Sequence, residues 1–201
     1  MADELDCRGM QCPEPVARCR KLISEMKTDE MRVLVDNAAA LENVGRFLER
    51  RGFMVNTNQL GANEWRIDAS KQGQMTQVEE KAAPEPDAGR MKTLVLLTTD
   101  TMGRGDDELG AKLLNTFLAN LNELGPSLWR IILLNGAVRL SAREGEALKH
   151  LQALQAAGVD VLVCGTCLMH YGLLEKKQVG ETTNMMDVIS SLALAQKVIR
   201  P

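Results

Sequence analysis

Two groups of cysteine-containing residues in this 201-residue chain could carry out sulfur chemistry. The first is Cys12, which is followed at once by Pro13-Glu14-Pro15. The second is Cys164-Gly165-Thr166-Cys167, with His170 three residues further on. The thiolate is the nucleophilic form of cysteine, so either group would act through a deprotonated sulfur. The chain has five cysteines, an odd number that favours thiol chemistry over a framework of disulfides.

The residues after Cys12 predict a helix that begins beside its sulfur. Apolar side chains recur at helical spacing between residues 16 and 26, so we expect a helix over about 13–26. Pro13 and Pro15 fit its first turn, because the first four helical N–H groups have no internal partner to lose. Cys12 would then be the N-cap residue, where the unpaired N–H groups and the positive end of the helix dipole favour an anionic sulfur.

The helix terminus alone is too weak to make a thiol fully reactive. A free thiol titrates near pH 8.5, and lowering its pKa by about two units takes about 2.7 kcal/mol. An exposed helix terminus contributes about 0.3–1 kcal/mol, and a partly buried one up to ~2 kcal/mol. Arg8 or a partner protein would have to supply the rest, while Glu14 opposes the thiolate. The alternative is a small buried cysteine that precedes a helix and only packs.

The second group follows a buried strand. Residues 159–163 are apolar and lead directly into Cys164, and reacting groups in parallel α/β domains collect beyond the carboxyl ends of the strands. The pair fits sulfur acceptance, in which Cys164 takes a sulfane sulfur and Cys167 resolves or protects it. It also fits a thioredoxin-like redox pair, or two cysteines that only pack.

A metal site would have to combine Cys164, Cys167 and His170. Structural zinc has four ligands, and the sequence has no second Cys-x-x-Cys or histidine pair to complete the set. We therefore expect no metal here. His170 is then either a proton shuttle or an ordinary histidine of the surface or core.

Residues 1–70 predict a small two-layer α/β domain with the element order β-α-β-α-β-β. After the first strand and helix, three strands are expected over 31–36, 53–56 and 65–68. Gly52 is placed to end the second helix as its C-terminal cap. Cys19 lies on the apolar side of the first helix, where it is expected only to pack. Cys7 lies at the end of the first strand and is expected to have a structural role; the alternative is a thiol that resolves a persulfide on Cys12.

Residues 71–90 predict a flexible linker. The segment is polar, contains Pro, Gly, Glu and Lys, and shows no apolar period. Twenty such residues have a root-mean-square span of roughly 25 Å, long enough for one domain to deliver a group to the other.

Residues 91–201 alternate strand and helix, which predicts a layered α/β domain with a mainly parallel sheet. Its first three strands are expected over 93–98, 130–134 and 159–163. Ser141-Ala142-Arg143-Glu144 matches a capping box and predicts the start of a helix that ends at Gly158. Asn184 or Thr183 is expected to cap the final helix.

The overall composition excludes some classes of function. A net charge of −3 and 3 % aromatic residues argue against a nucleic-acid-binding protein, which needs a basic face and stacking rings. No apolar run approaches 18 residues, so we expect no membrane span. The acidic start, Met1-Ala2-Asp3-Glu4, leads to no apolar signal segment. These features predict a cytoplasmic protein.

The first domain resembles the TusA/SirA family of sulfur-carrier proteins. The resemblance rests on Leu5-Asp6, Gly9, Cys12-Pro13-Glu14-Pro15 and, further on, Arg32-Val33-Leu34-Val35-Asp36. Cys-Pro-x-Pro is the signature of that family. The resemblance as a whole covers residues 1 to about 70. The resemblance implies a two-layer α/β fold in which the motif cysteine, here Cys12, carries sulfur as a persulfide.

The second domain is similar to the DsrE-like family, whose members handle sulfur or persulfide on a cysteine that follows a strand. The matching stretch is Val161-Leu162-Val163-Cys164, with Gly172 eight residues on, and Cys167 is an addition to the family pattern. The whole chain resembles the YedF family, which joins these two domains, and further matches are residues 100–105 and 180–185. That resemblance implies a sulfurtransferase-like protein linked to selenium metabolism.

These observations together predict a carrier that relays sulfur or selenium from Cys12 to Cys164 and Cys167. Its partners would be a persulfide donor, such as a cysteine desulfurase, and a downstream sulfur or selenium acceptor protein. Thiol exchange needs only a reactive thiolate and access, so we expect no cofactor. By analogy with DsrE-like proteins the second domain is expected to form a homo-oligomer. The alternatives are a dithiol oxidoreductase acting through Cys164 and Cys167, and a regulatory or interaction module without catalysis.

Overall fold

A computed structural model of the chain describes residues 3–10, 13–26, 28–71 and 91–201. The chain separates into two compact units, Met1–Asp87 and Ala88–Pro201, which are described one at a time below. Apart from residue 71, the predicted linker over 71–90 lies outside the described residues.

The first unit is a four-stranded sheet covered by two helices. In chain order its elements are β1 (Asp3–Asp6), α1 (Glu14–Met26), β2 (Glu30–Val35), α2 (Ala38–Glu49), β3 (Met54–Gly61) and β4 (Glu64–Ser70). The strands lie in the order β1-β2-β4-β3, with β1 parallel to β2 and β4 antiparallel to both of its neighbours. The predicted β-α-β-α-β-β order is confirmed.

Alternation along the strands builds the core of this unit. On β2 every second residue is buried, because successive side chains of a strand point to opposite faces. The helices add apolar residues at helical spacing to the same side. The core residues include Val16, Cys19, Met31, Val33, Val35, Val44, Leu48, Ile67 and Ala69. The opposite face of the sheet carries charged side chains such as Arg32, which pairs with Asp68 at 3.3 Å.

The ends of α2 follow from local chemistry. Asn37 caps the first turn, since its Oδ1 accepts a hydrogen bond of 2.8 Å from the N–H of Ala40. Gly52 follows the last turn with φ +80°, a conformation that favours glycine, and Phe53 donates its N–H back to the carbonyl of Leu48 at 3.1 Å. The predicted role of Gly52 is confirmed.

Strand β3 is twice as long as the predicted segment over 53–56. It runs from Met54 to Gly61, and its side chains are mostly exposed and polar, as at Asn56 and Gln59. An edge strand of this kind is held by its backbone pairing with β4 along its length. It has no alternation of apolar residues for a sequence pattern to detect.

The second unit contains a five-stranded sheet in which every neighbouring pair of strands is parallel. In chain order its elements are β5 (Thr93–Leu97), α3 (Asp107–Ala119), β6 (Leu128–Leu133), α4 (Glu146–Ala156), β7 (Asp160–Cys164), α5 (Gly165–His170), β8 (Glu181–Thr183), α6 (Met185–Leu194) and β9 (Lys197–Ile199). The strand order is β8-β7-β6-β5-β9. The predicted layered α/β domain with a mainly parallel sheet is confirmed.

The two faces of this sheet are covered by different helices. One face presents residues such as Val95, Ile131 and Val163 to the apolar sides of α3, α4 and α5. The other presents Leu94 and Ile132, together with their neighbours, to α6. The sheet is therefore the middle layer of three, and it is buried on both faces, as parallel sheets usually are.

The predicted capping box at Ser141 is wrong. The structure places Ser141 at the end of a 3₁₀ segment, Asn135–Ser141, where its hydroxyl is fully buried and donates a hydrogen bond of 2.7 Å to the carbonyl of Val138. Helix α4 begins later, at Glu146, and Gly145 stands at its N-cap position with φ 154°. The Ser-x-x-Glu spacing therefore does not mark a helix start here.

The final helix has the cap that the sequence predicts. Asn184 Oδ1 accepts hydrogen bonds from the N–H groups of Met186 (2.9 Å) and Asp187 (3.1 Å). None of the helices in the described part of the chain is long and apolar enough to span a membrane.

Candidate functional site

Cys12, the central residue of the first motif, lies outside the described residues, and so does Gln11. The structure does describe the segments on both sides of it. Before it, the chain leaves β1 and turns through residues 7–10; after it, α1 begins at Glu14. The first helical hydrogen bond runs from the N–H of Ala17 to the carbonyl of Pro13 at 3.0 Å. Pro13 therefore occupies the N-cap position that the sequence analysis gave to Cys12.

The loop before Cys12 is held against the start of α2. The N–H of Gly9 donates a hydrogen bond of 2.6 Å to Asp36 Oδ2, and Gly9 has φ +71°. The other carboxylate oxygen of Asp36 accepts a hydrogen bond of 3.1 Å from the side-chain amide of Asn37, the cap of α2. Because β1 and β2 are parallel, the loops after them lie at the same edge of the sheet. This edge leads into both helices of the unit.

Arg8 is engaged by two carboxylates. Its guanidinium donates to Asp6 through Nε (2.9 Å) and Nη2 (2.7 Å), and Nη1 lies 3.6 Å from Glu64 Oε1. The hydrogen bond from the Arg8 side chain is the main reason why the pKa of Asp6 falls from 3.8 to about 2. The same pairing raises the pKa of Arg8. Assistance from Arg8 to a thiolate at Cys12 stays a prediction, and these contacts place its charge beside Asp6 and Glu64.

The two prolines and the acidic residue between them lie in or next to the first turn of α1. Pro15 is buried at the second position of the helix, and Glu14 is exposed. Glu14 is paired with Arg18 one turn on, at 3.3 Å between Oε1 and Nη2. This pairing offsets part of the negative charge that the sequence analysis counted against an anion here.

Cys7 and Cys19 are fully buried in the first unit. Burial is the main cause of the raised pKa of both thiols, and it takes the pKa of Cys19 to about 12, with a further contribution from Cys7. The backbone N–H of Cys7 continues the sheet by donating to the carbonyl of Leu34 at 2.9 Å. These thiols stay protonated at neutral pH, which supports the structural roles that we predicted for them.

In the second unit Cys164 and Cys167 lie on either side of the start of α5. Cys164 is the last residue of β7 and only 7 % exposed, and it belongs to the apolar core. Cys167 is half-buried in the first turn of α5. The four cysteines that the structure describes form no disulfide.

Cys167 contacts the loop that follows the neighbouring strand, β6. The backbone N–H of Asn135 donates a hydrogen bond to Cys167 Sγ at 3.2 Å. Asn135 has φ +48°, in the left-handed region, and its Oδ1 accepts a hydrogen bond of 3.0 Å from the hydroxyl of Tyr171. Tyr171 directly follows α5, so Asn135 contacts both the first turn of this short helix and the residue after its last turn.

The loop after β5 adds a carboxylate to the same edge of the sheet. Asp100 Oδ2 lies 3.3 Å from Arg139 Nη1 and 3.6 Å from Arg143 Nη1. The guanidinium of Arg139 also stacks on the ring of Tyr171, 4.4 Å from its centroid. The loops after β5, β6 and β7 therefore bring one acidic group, two basic groups and two thiols to the carboxyl edge, where ligands of parallel sheets bind.

His170 lies beside this group without joining it. Its side chain is exposed and contacts the ring of Tyr171 edge-on, with 4.9 Å between the ring centroids. Within the described ranges, no group of three or more His, Cys, Asp or Glu side chains is arranged to hold a metal ion. The described contacts give His170 an aromatic neighbour, and a proton shuttle through it stays a prediction.

Sequence reasoning assigned no role to Asn135, Arg139 and Tyr171. A signal was available for Asn135, because it directly follows the predicted strand over 130–134, and such positions line the carboxyl edge. Arg139 and Tyr171 reach the site by long side chains from a 3₁₀ segment and from the end of α5. No spacing rule marks residues of that kind.

Comparison with known proteins identifies the first unit. Residues 3–70 match the family model described as "Sulfurtransferase TusA". Over 53 residues the chain is 40 % identical to a protein of Methanocaldococcus jannaschii named "Putative sulfur carrier protein"; the match spans 26 % of this chain and 71 % of that protein.

Two solved structures are also similar. The ychN protein of E. coli has 22 % identity and a TM-score of 0.44, covering 55 % of this chain and 99 % of that one. A SirA-like protein from Desulfitobacterium hafniense has 24 % identity and a TM-score of 0.32, covering 35 % of this chain and 97 % of that one. On the family match and the curated relative, the chain belongs, through its first unit, to the TusA family of sulfur-carrier sulfurtransferases.

Proposed function

We propose that this chain is a persulfide carrier that relays a sulfane sulfur from Cys12 to the pair Cys164 and Cys167. The observation that carries the proposal is the TusA family match over residues 3–70, because that stretch contains Cys12 and Pro13-Glu14-Pro15. The second unit would supply the acceptor, since its two thiols lie at the carboxyl edge of a parallel sheet. For the second unit, the proposal rests on the resemblance to DsrE-like and YedF proteins.

The first transfer needs one thiolate and one donor persulfide. The Cys12 thiolate attacks the outer sulfur of the donor, for example the persulfide of a cysteine desulfurase, and a new sulfur–sulfur bond forms on Cys12. The bond between the two donor sulfurs breaks, and the donor cysteine leaves as a thiolate. The outer sulfur keeps its hydrogen as it moves to Cys12, so the product is Cys12–S–SH and no oxidant or reductant is consumed. Such exchange requires no metal or organic cofactor.

The described surroundings of Cys12 support this role. Helix α1 begins right after Pro13, and the preceding loop is fixed by the hydrogen bond between Gly9 and Asp36. Cys7 and Cys19 are buried with raised pKa values, so they do not compete as nucleophiles. The reducing interior of the cytoplasm, which we predicted as the location, would keep Cys12, Cys164 and Cys167 in the thiol form.

Mass analysis of the intact chain tests the proposal. The full chain is incubated with a cysteine desulfurase and cysteine, and we expect a gain of one sulfur atom on the peptide that contains Cys12. The Cys12→Ser chain should gain none on the corresponding peptide, whereas Cys167→Ser should still be loaded at Cys12. Absence of the adduct from the wild-type chain, or equal loading of the Cys12→Ser chain, would refute the carrier proposal.

The resemblance to YedF proteins extends the proposal to selenium as cargo. Replacing cysteine by selenocysteine in the same incubation should then give a gain of one selenium atom on the same peptide. If only sulfur is taken up under matched conditions, the cargo is sulfur.

A dithiol oxidoreductase is the second candidate, because Cys164 and Cys167 flank the start of one short helix. It predicts reversible oxidation of this pair and disulfide reductase activity that does not depend on Cys12. Redox titration of the Cys12→Ser full chain separates the two candidates: a relay loses its function in that variant, and an oxidoreductase keeps it.

A further inference from the structure

We infer that Cys167, rather than Cys164, is the thiol that first takes the sulfur in the second unit, and that Asn135 is its positioning residue. The inference rests on the proposed function and reverses the roles that the resemblance to DsrE-like proteins implies. It assigns acceptance to the thiol that the family pattern does not demand.

Accessibility is the first argument. Cys164 is 7 % exposed and packs in the core among residues that include Val163 and Leu168. Cys167 is half-buried at the border of that core. The outer sulfur of an incoming persulfide has to approach the attacking sulfur directly, so access helps to decide which thiol reacts. A donor can reach Cys167 without displacing the core.

The hydrogen bond to Cys167 is the second argument. The N–H of Asn135 lies 3.2 Å from Cys167 Sγ, measured from the nitrogen. This contact holds the sulfur in one position against the loop that follows β6, so an incoming persulfide meets it in a fixed orientation.

The backbone conformation of Asn135 directs its N–H towards Cys167 Sγ. Among the described residues other than glycine, Asn135 alone has a positive φ, +48°. Asparagine tolerates this region better than most residues. Its side chain is fixed at the other end, because Oδ1 accepts the hydroxyl of Tyr171 at 3.0 Å. Tyr171 and Cys167 belong to one short segment. The hydrogen bond from Tyr171 to Asn135 and the direction of the Asn135 N–H towards Cys167 therefore depend on each other.

Charges around the site favour an anionic group. Arg139 and Arg143 both approach a single carboxylate, that of Asp100. Arg139 also lies over the ring of Tyr171. Guanidinium groups near the site stabilise the donor thiolate that leaves when its sulfur–sulfur bond breaks.

The step balances without a further reactant. The Cys167 thiolate attacks the outer sulfur of the incoming persulfide and forms a sulfur–sulfur bond to it. The sulfur–sulfur bond of the donor breaks, and the donor leaves as a thiolate. No net oxidation occurs, and Cys164 takes no part in this first transfer.

Glutathione persulfide can serve as the probe with full chains that carry Cys12→Ser. One chain also carries Cys164→Ser and the other Cys167→Ser, and peptide mass analysis gives the initial rate of sulfur uptake at the remaining thiol. We expect Cys167 to be loaded about ten times faster than Cys164, because Cys167 is the more exposed of the two thiols. Faster loading of Cys164 would overturn the inference and leave the relay intact. Loading of neither thiol would refute the relay itself.

Substitutions at position 135 test the positioning role. Alanine disfavours the left-handed backbone, whereas glycine adopts it readily, and both remove Oδ1. We expect Asn135→Ala to slow the loading of Cys167 about ten-fold. Asn135→Gly should slow it only about three-fold, which is half of that loss on a logarithmic scale. Asn120→Ala, at the far end of α3, is the matched control. Equal rates for the alanine and glycine variants, with melting temperatures unchanged, would contradict the role of the backbone conformation.

Discussion

The N–H of Gly9 and the carboxylate of Asp36 are joined by a hydrogen bond of 2.6 Å, which ties the loop before Cys12 to the end of β2. The two residues are 27 positions apart, and the contact closes the edge of the sheet from which α1 and α2 begin. In the proposed carrier this bond limits the motion of the chain on one side of the reactive cysteine.

Asp36→Ala should therefore slow sulfur uptake at Cys12. We expect a loss of about 1 kcal/mol in unfolding free energy, because the bond is partly exposed and bonds to charged acceptors contribute about 1.5–3 kcal/mol when sheltered. The initial rate of persulfide formation at Cys12 should fall several-fold, which is more than the small rise in the unfolded fraction would cause. Asp36→Asn keeps an acceptor oxygen and is the control; if alanine and asparagine variants load equally fast, the loop contact has no part in the reaction.

Acid should weaken the first unit through Asp6. Arg8 lowers the pKa of Asp6 from 3.8 to about 2 in the folded chain. A carboxyl group with a lowered folded pKa stabilises the protein above its unfolded value and loses that contribution as the pH falls. Urea midpoints measured between about pH 4 and pH 2 should drop more steeply for wild type than for Asp6→Asn. Parallel curves for the two proteins would show that the pair with Arg8 is not coupled to folding.

The buried guanidinium of Arg130 links three elements of the second unit. Its nitrogens donate to Asp160 Oδ2 at 2.5 and 3.2 Å and to Ser191 Oγ at 2.7 Å, and its side chain is 11 % exposed. Arg130→Ala should cost about 2–3 kcal/mol in unfolding free energy, somewhat less than for a fully buried pair because Asp160 is partly exposed.

Lys149→Ala breaks an ion pair of similar length, 2.8 Å to Glu146, on an exposed surface. It should change the unfolding free energy by no more than about 0.5 kcal/mol. Denaturant unfolding of both variants checks the contrast. A loss at Lys149 as large as that at Arg130 would mean that burial does not set the difference.

Thr93 is a place where the second unit can be made more stable. Its hydroxyl oxygen is buried at the start of β5 and has no hydrogen-bond partner among the described residues. Thr93→Val keeps the shape and removes the polar atom, so we expect a gain of about 1 kcal/mol in unfolding free energy. Thr183 is equally buried, but its hydroxyl donates to Asp187 at 3.2 Å. Thr183→Val should therefore lose about 1 kcal/mol, and a gain from both substitutions would contradict this reasoning.

The exposed side of α6 is a candidate contact surface for the expected homo-oligomer. Met185 and Ile189 lie one turn apart there and are 45 % and 60 % exposed. If this surface mediates self-association, Ile189→Glu should shift the mass measured by light scattering towards the monomer. Leu109→Glu, on α3 at the other face of the sheet, replaces a side chain that is 55 % exposed and serves as the control. A monomeric wild-type chain at all concentrations would refute the expectation.

The elements with strong patterns could be predicted from the sequence. The apolar spacing after Pro13 gives α1, and the β-branched, apolar run before Cys164 gives β7. The glycine at position 52 and the asparagine at position 184 end and begin helices as expected. In each case a local physical preference and the tertiary structure agree, so the local signal suffices.

The remaining features depend on contacts that no local pattern contains. Strands β8 and β9 have three residues each and form only because they pair with the edges of an existing sheet. Ser141 was misassigned because a fully buried hydroxyl finds its partner within a 3₁₀ turn. The hydrogen bond from Asn135 to Cys167 joins residues 32 positions apart, so the Cys-x-x-Cys spacing contains no sign of it.

A time course with radioactive sulfur tests the central claim most directly. The full chain is mixed with a cysteine desulfurase and ³⁵S-cysteine, quenched at intervals and digested, and the label is counted on the peptides that contain Cys12 and Cys167. The relay predicts that label appears first on Cys12 and then on Cys167, and that the Cys12→Ser chain acquires none on either peptide. Label that reaches Cys167 at an unchanged rate in the Cys12→Ser chain, or never appears on Cys12, would contradict it.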